Sequence, residues 1–299
     1  MWRRPVLALR TVTTFSTPCT SPLPLSHVIL SPGETPEKPP VVFMHGLFGN
    51  KNNFTFVGKH LGKLTGRKVV SVDLRNHGDS GHGDAMGWRE MASDIKNLLE
   101  QERLVPTGCL IGHSMGGKVA MVTTLLWPEL ISSIIVADVS PCHPPTVPGL
   151  PFSGILQVLS KLSWPPGLSL SQARKAAHIK LQEDIPNITI RNFLLTNLIE
   201  RDGRVQLRVN LPVLSAHLND LLGFPDDLSQ TYEGPTLFLG GSQSPYISPS
   251  TFPSIFQHFP KASISHIPGA GHWLHADQPQ AFVQAVSNFL KPTTFPLWE

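Results

Sequence analysis

The sequence predicts an α/β fold: a mostly parallel central sheet flanked by helices, with a mainly helical lid inserted between two strands. Three observations predict it. Six short apolar runs, each bounded by Gly, Pro, Asn or Asp, alternate with longer stretches of helical periodicity, the pattern of strand–helix units in one parallel sheet. Residues 141–233 interrupt that rhythm between two of the runs. A composition of 40% hydrophobic and 15% charged residues lets a 299-residue chain bury a sizeable core and excludes a disordered one.

Taken in order, residues 1–33 read as a leader. Arg3, Arg4 and Arg10 are its only charges, Ser and Thr are frequent, and no acid occurs before Glu34. That is the composition of a mitochondrial transit peptide. Setting those three aside, the remaining 21 basic side chains match the 21 acidic ones, so the body is formally neutral and offers no footprint for nucleic acid. No run reaches the ~18 consecutive apolar residues of a membrane span. Three cysteines make no disulfide framework, which agrees with the reducing mitochondrial matrix, and Cys109 sits in an apolar strand pattern as inert core.

The core is expected over residues 34–140 and 234–299. Its strands are Val41–Met44, Lys68–Val72, Cys109–Gly112, Ile134–Ala137, Thr236–Gly240 and Ser263–Ile267, with edge strands from Pro24–Ser31. Trp88–Leu104 carries Met91, Ile95, Leu98 and Leu99 on one helical face. Met115–Leu126 follows a strand directly and stops before Trp127-Pro128, and Pro279–Leu290 closes the chain with Phe282, Val283 and Val286 at helical spacing. The lid, residues 141–233, opens on a proline-rich linker, Pro141 to Pro151. It continues with a capping box at Ser169-x-x-Gln172 and a hairpin turn at Asp202-Gly203. A lid there covers the C-terminal ends of the strands, where open α/β sheets bind ligands.

The strongest chemical signal is Gly112-His113-Ser114-Met115-Gly116-Gly117, between a strand and a helix. In that context G-x-S-x-G turns the backbone so sharply that the Ser114 hydroxyl stands above the sheet as a nucleophile. The Met115 N–H then points where an oxyanion forms, and Leu47, in the loop His45-Gly46-Leu47-Phe48-Gly49-Asn50 after the first core strand, is expected to supply the second amide. His45 reads as a brace of that loop. A serine needs a base. Of thirteen histidines, His272 follows the last strand and precedes the last helix, the chain position this elbow pairs with; His275 reads as its neighbour. His272-x-x-His275 lacks the glutamate and third ligand of a zinc motif, so no zinc site is expected there.

The acid that orients the base usually follows the penultimate strand, but the chain has no Asp or Glu between Glu233 and Asp277. Asp138, ending the strand after the nucleophile helix, is the expected replacement; Asp202 and Asp220 in the lid are rivals that would have to reach inward. Asp73 and Arg75, in Asp73-Leu74-Arg75-Asn76-His77-Gly78-Asp79-Ser80, read as a structural tie at the rim.

These segments together, with Ala137-Asp138-Val139-Ser140-Pro141 and Gly269-Ala270-Gly271-His272-Trp273-Leu274-His275, resemble the small serine esterases of the α/β-hydrolase fold over residues 25–290. The family has mitochondrial members and bacterial esterase relatives. The resemblance implies cofactor-free hydrolysis of small-molecule acyl esters, plausible lipid or acylglycerol esters among them, and supports Asp138, since bacterial relatives carry the acid on the same strand. Leu211-Pro212-Val213 departs from relatives with a lid carboxylate there, so no role for such an acid transfers. A thioesterase or acyltransferase with the same three residues is an alternative. So is a hydrolase-fold binding protein that holds a ligand or protects a protein partner. The lid residues Phe152, Ile155, Leu156, Leu159 and Trp164 are expected mainly as lid core, with an acyl pocket as the other reading.

Overall fold

The computed structural model describes residues 21–33, 37–145 and 151–291. Seven strands form one sheet in the order β1-β3-β2-β4-β5-β8-β9. They are β1 His27–Pro32, β2 Val41–Met44, β3 Lys68–Val72, β4 Cys109–His113, β5 Ile134–Ala137, β8 Thr236–Gly241 and β9 Ala262–Ile267. All pairs are parallel except β1 against β3. The six expected core strands agree with these bounds to within one residue, while the edge segment expected at Pro24–Ser31 forms one strand that starts three residues later.

The first strand falls inside the span expected as leader. Leu23 N–H bonds Asp94 Oδ1 at 2.7 Å, Leu25 is buried, and His27–Pro32 pairs with β3, so residues 23–32 belong to the folded body and the leader boundary at 33 is corrected accordingly. Arg3, Arg4 and Arg10, on which the expectation of a leader rests, lie outside the described residues.

Alternation along the strands feeds two cores, one on each face of the sheet. Val42, Met44, Val70 and Val72 pack with α2 (Trp88–Gln101) and α3 (Met115–Leu126). Val41, Phe43 and Val69 pack on the other face with α1 (Thr55–Thr65) and α11 (Pro279–Phe289). Helix α1 was not expected. Gly58 and Gly62 interrupt its pattern, and both are there because β1 passes so close: a Cβ at Gly58 would stand 2.3 Å from Leu30 Cδ1, and one at Gly62 2.2 Å from Ser31 Cβ.

Between β5 and β8 the chain leaves the sheet and builds α4 Phe152–Ser160, α5 Leu170–Lys180, α6 Ile188–Leu195, the hairpin β6 Leu198–Arg201 and β7 Arg204–Leu207, then α7 Leu211–Ala216 and α8 Leu218–Leu222. Ser169 and Gln172 form the expected reciprocal cap of α5. Asp202 (φ 53°) and Gly203 (φ 70°) turn the hairpin, both in the left-handed region that such a two-residue turn needs. Leu156, Leu159, Leu194 and Leu214 join the core on the α2–α3 face, so this segment is packed onto the sheet domain rather than tethered to it. After β8 come α9 Phe252–His258 and, beyond β9, the short α10 Leu274–Asp277. Among the described residues, no helix is long and apolar enough to cross a membrane.

The sheet order reverses at β2. Strand β3 lies on one side of it and β4 on the other, so the loops leaving the C-terminal ends of β2 and β4 diverge and leave a crevice between them.

Candidate active site

Ser114 stands at that crevice. It joins β4 to α3 with φ 52° and ψ −119°, a backbone state that costs a side-chain-bearing residue about 1–3 kcal/mol and persists only where its surroundings hold it. They do so with hydrogen bonds: Ser114 N–H donates to Ala137 O at 2.9 Å, and Ser114 O accepts from Gly117 N–H at 2.8 Å. Glycine at 116 is needed for proximity. A Cβ there would lie 2.4 Å from Met44 O and 2.6 Å from His45 O, so the elbow packs backbone to backbone against the end of β2.

His272, on the loop between β9 and α10, faces Ser114 from the far side of the sheet order. Its Nε2 lies 3.2 Å from Ser114 Oγ and its Nδ1 lies 2.7 Å from Asp138 Oδ2. Donation from Nδ1–H to the carboxylate leaves the Nε2 lone pair toward the serine hydroxyl, the tautomer a general base requires. His113 Nε2 donates to His272 O at 2.7 Å and Tyr246 stacks on the imidazole at 4.4 Å, which hold the loop and the ring. Burial, and the positive charge that His272 and His275 would contribute, keep His113 well below the usual histidine range and therefore neutral.

Asp138 follows β5, fully buried, with φ 53°. Its Oδ1 accepts Gly241 N–H at 3.0 Å, and its Oδ2 accepts the Ser244 hydroxyl as well as His272. The loop after β8, which has no carboxylate, thus holds a serine whose hydroxyl donates to the carboxylate that follows the neighbouring strand. Ser244 and Tyr246 give no signal in the sequence, since neither residue type indicates a role without a partner in view. Asp202 lies in the hairpin turn, and the Asp220 side chain is 74% exposed beside His217. Neither reaches His272.

The two expected oxyanion donors flank Ser114. Leu47 and Met115 both line a small cavity of about 30 Å³ that includes Ser114, and neither amide bonds to another described residue. The loop bearing Leu47 is held by two histidines used alike. His45 Nε2 accepts Leu74 N–H at 3.0 Å while its Nδ1–H donates to Gly46 O; His77 Nε2 accepts Phe48 N–H at 3.2 Å while its Nδ1–H donates to Arg75 O. Each ring must be neutral to do both, and burial lowers both, His77 to about 3. His45 is placed as a brace. Asp73 accepts Lys51 Nζ at 2.6 Å, and Arg75 forks onto Asp94 at 2.6 and 2.7 Å, so both rim residues tie loops by charge. Burial raises Asp94 even against Arg75.

A larger cavity of about 300 Å³ opens from Ser114 beneath the segment between β5 and β8. Phe152, Ile155, Ile190 and Phe193 wall it, while Leu156 and Leu159 are buried in the core and Trp164 packs beside it, donating to Ala173 O. The apolar residues expected together are therefore divided between wall and core by the two sides of α4. Among the described residues, no group of three or more His, Cys, Asp or Glu side chains is arranged to hold a metal ion.

The profile of the alpha/beta hydrolase family matches residues 41–285. The chain belongs to the alpha/beta hydrolase family. As a member it is 46% identical over 253 residues to sn-1-specific diacylglycerol lipase ABHD11 of Danio rerio, covering 85% of this chain and 78% of that protein. It is 30% identical over 251 residues to esterase YbfF of Escherichia coli, covering 84% and 92%. Among solved structures, a marine microorganism esterase resembles this hydrolase with a TM-score of 0.80 and 32% identity, over 89% of this chain and 99% of that one.

Proposed function

We propose that this carboxylic ester hydrolase cleaves acylglycerol-type lipid esters by acyl transfer through Ser114, His272 and Asp138. The supporting observation is the continuous contact from Ser114 Oγ to His272 to the buried Asp138, opening into an apolar cavity. His272 takes the Ser114 proton as Oγ attacks the ester carbonyl. The Leu47 and Met115 amides receive the oxyanion, and the alcohol leaves with the proton from His272. Water, deprotonated by His272, then releases the acid and restores Ser114. Asp138 keeps the imidazole in its tautomer and stabilises the imidazolium.

The segment 141–233 acts as a lid whose wall receives the acyl chain. The relatives' names, a diacylglycerol lipase and an esterase, agree with an acylglycerol ester as substrate. The basic, acid-free composition of residues 1–20 supports a mitochondrial location for the enzyme, in the matrix. A cavity of about 300 Å³ is at the small end for small-molecule pockets, so hydrolysis of p-nitrophenyl esters should peak at about six to ten acyl carbons and vanish in Ser114→Ala. Equal rates for acetate and hexadecanoate would contradict the lid as an acyl wall, and undiminished turnover in Ser114→Ala would remove the nucleophile.

A further inference from the structure

Beyond Ser114, His272 and the polar residues already described around them, the wall of the larger cavity carries Gln243 on the loop after β8 and, in another stretch, His275 at α10 and Asn53 just before α1; the Phe54 ring lies 4.8 Å from His275 and is adjacent in sequence to Asn53. His275 is only 7% exposed and is wedged among Phe54, His113 and Phe282. Its Nδ1 is enclosed with no hydrogen-bond partner, and neither ring nitrogen bonds to another described residue. An enclosed N–H without a partner is rarer and costlier than an unfilled lone pair, so the proton belongs on Nε2, which leaves one donor for the cavity. Burial, reinforced by His272, pushes His275 down to about 3, so the ring is neutral. A neutral donor suits a hydroxyl, ether or carbonyl oxygen better than a carboxylate. Asn53 Oδ1 is already engaged by Asn50 N–H at 2.7 Å, which leaves the Asn53 amide N–H groups as further donors on the same wall.

Resting on the triad reading above, we infer that His275 and Asn53 form a polar subsite that holds a second oxygen of the substrate, away from the scissile carbonyl, and thereby selects esters of polyols such as glycerol over simple alkyl esters. A plain alkyl group entering this part of the cavity leaves His275 unpaired or displaces a water that pairs it. A polyol ester replaces that water with its own oxygen. A site built to bond an oxygen discriminates against the analogue that lacks it.

The test compares 1-monooctanoylglycerol with propyl octanoate, which share the acyl chain and a three-carbon alcohol and differ by two hydroxyls. The expected result is a wild-type preference of about ten-fold or more in kcat/KM for the glycerol ester, the scale of one hydrogen bond. His275→Phe should lower kcat/KM for the glycerol ester about ten times more than for the propyl ester, and His275→Gln, which can still present an N–H there, should restore part of the preference. Asn53→Leu should reduce the preference in the same sense and serves if His275→Phe does not fold. No preference in wild type would mean that a water alone fills the subsite, and equal losses on both esters would mean a structural role for His275; either result overturns the inference. Fluorophosphonate labelling run alongside separates the two readings: labelled enzyme without preference overturns the subsite only, while unlabelled, folded wild type overturns the triad.

Discussion

Three residues from three loops meet at the site, and two of them, Ser114 and Asp138, hold positive φ angles that ordinary side chains avoid. Such strain survives where the fold supplies compensating bonds, here Ala137 O for Ser114 and Leu239 O for Asp138, each accepting the strained residue's own N–H. Ser114 and His272 were legible in the sequence because strand, turn and helix signals frame them. Asp138 was legible through the acid-free stretch that removes the usual candidate. Ser244, Tyr246 and His275 were not legible, since their roles arise from contacts with residues distant in sequence or from a missing partner, and neither leaves a local pattern. Asp138→Asn keeps the shape but presents an amide to His272 Nδ1, which favours the wrong tautomer; kcat should fall by about 10⁴-fold. Steady-state assays on protein with an unchanged circular dichroism spectrum check this, and a loss under ten-fold would move the orienting role elsewhere.

Individual elements explain how the segment inserted between β5 and β8 is held beside the site. Lys118 on α3, one turn beyond the elbow, is buried and makes no ion pair with a carboxylate among the described residues. Its three N–H groups donate to Cys142 O at 2.9 Å, Leu222 O at 2.7 Å and Gly223 O at 2.8 Å, which joins the start and the end of the inserted segment to the nucleophile helix. Burial lowers this amine to about 8, against about 10.4 in an unfolded chain. Between those values the unfolded chain holds more protons than the folded one, so Lys118 contributes stability that rises with pH from about 8 to 10.4; below about 8 both states are charged and the burial penalty is complete. Urea unfolding of wild type and Lys118→Met from pH 7.5 to 10 should therefore show wild type gaining on the variant as pH rises. Parallel curves would show that the lysine does not titrate in that window. Helix α1 was the element least visible in the sequence. Two glycines cost it about 1 kcal/mol each in helix propensity, and what they allow, contact with β1, is a tertiary matter.

On the scale of the whole molecule, alternating strands and helices predicted a doubly covered parallel sheet, and the parallel pairing of β2, β3, β4, β5, β8 and β9 agrees with it. The order of strands was not readable, because it depends on which edges pair. That order puts the crevice between β2 and β4 and so brings Leu47 beside Ser114. The leader reading concerns residues before the folded body, and a fusion of residues 1–20 to a fluorescent reporter should carry it to mitochondria; a diffuse signal would leave the matrix assignment without support. The central claim, that Ser114 is a nucleophile activated by His272, is tested most directly by a fluorophosphonate probe and peptide mapping of the adduct. Wild type should label on the peptide containing Ser114, and Ser114→Ala and His272→Ala should not. Folded wild-type protein that fails to label, or labelling at another serine, would contradict it.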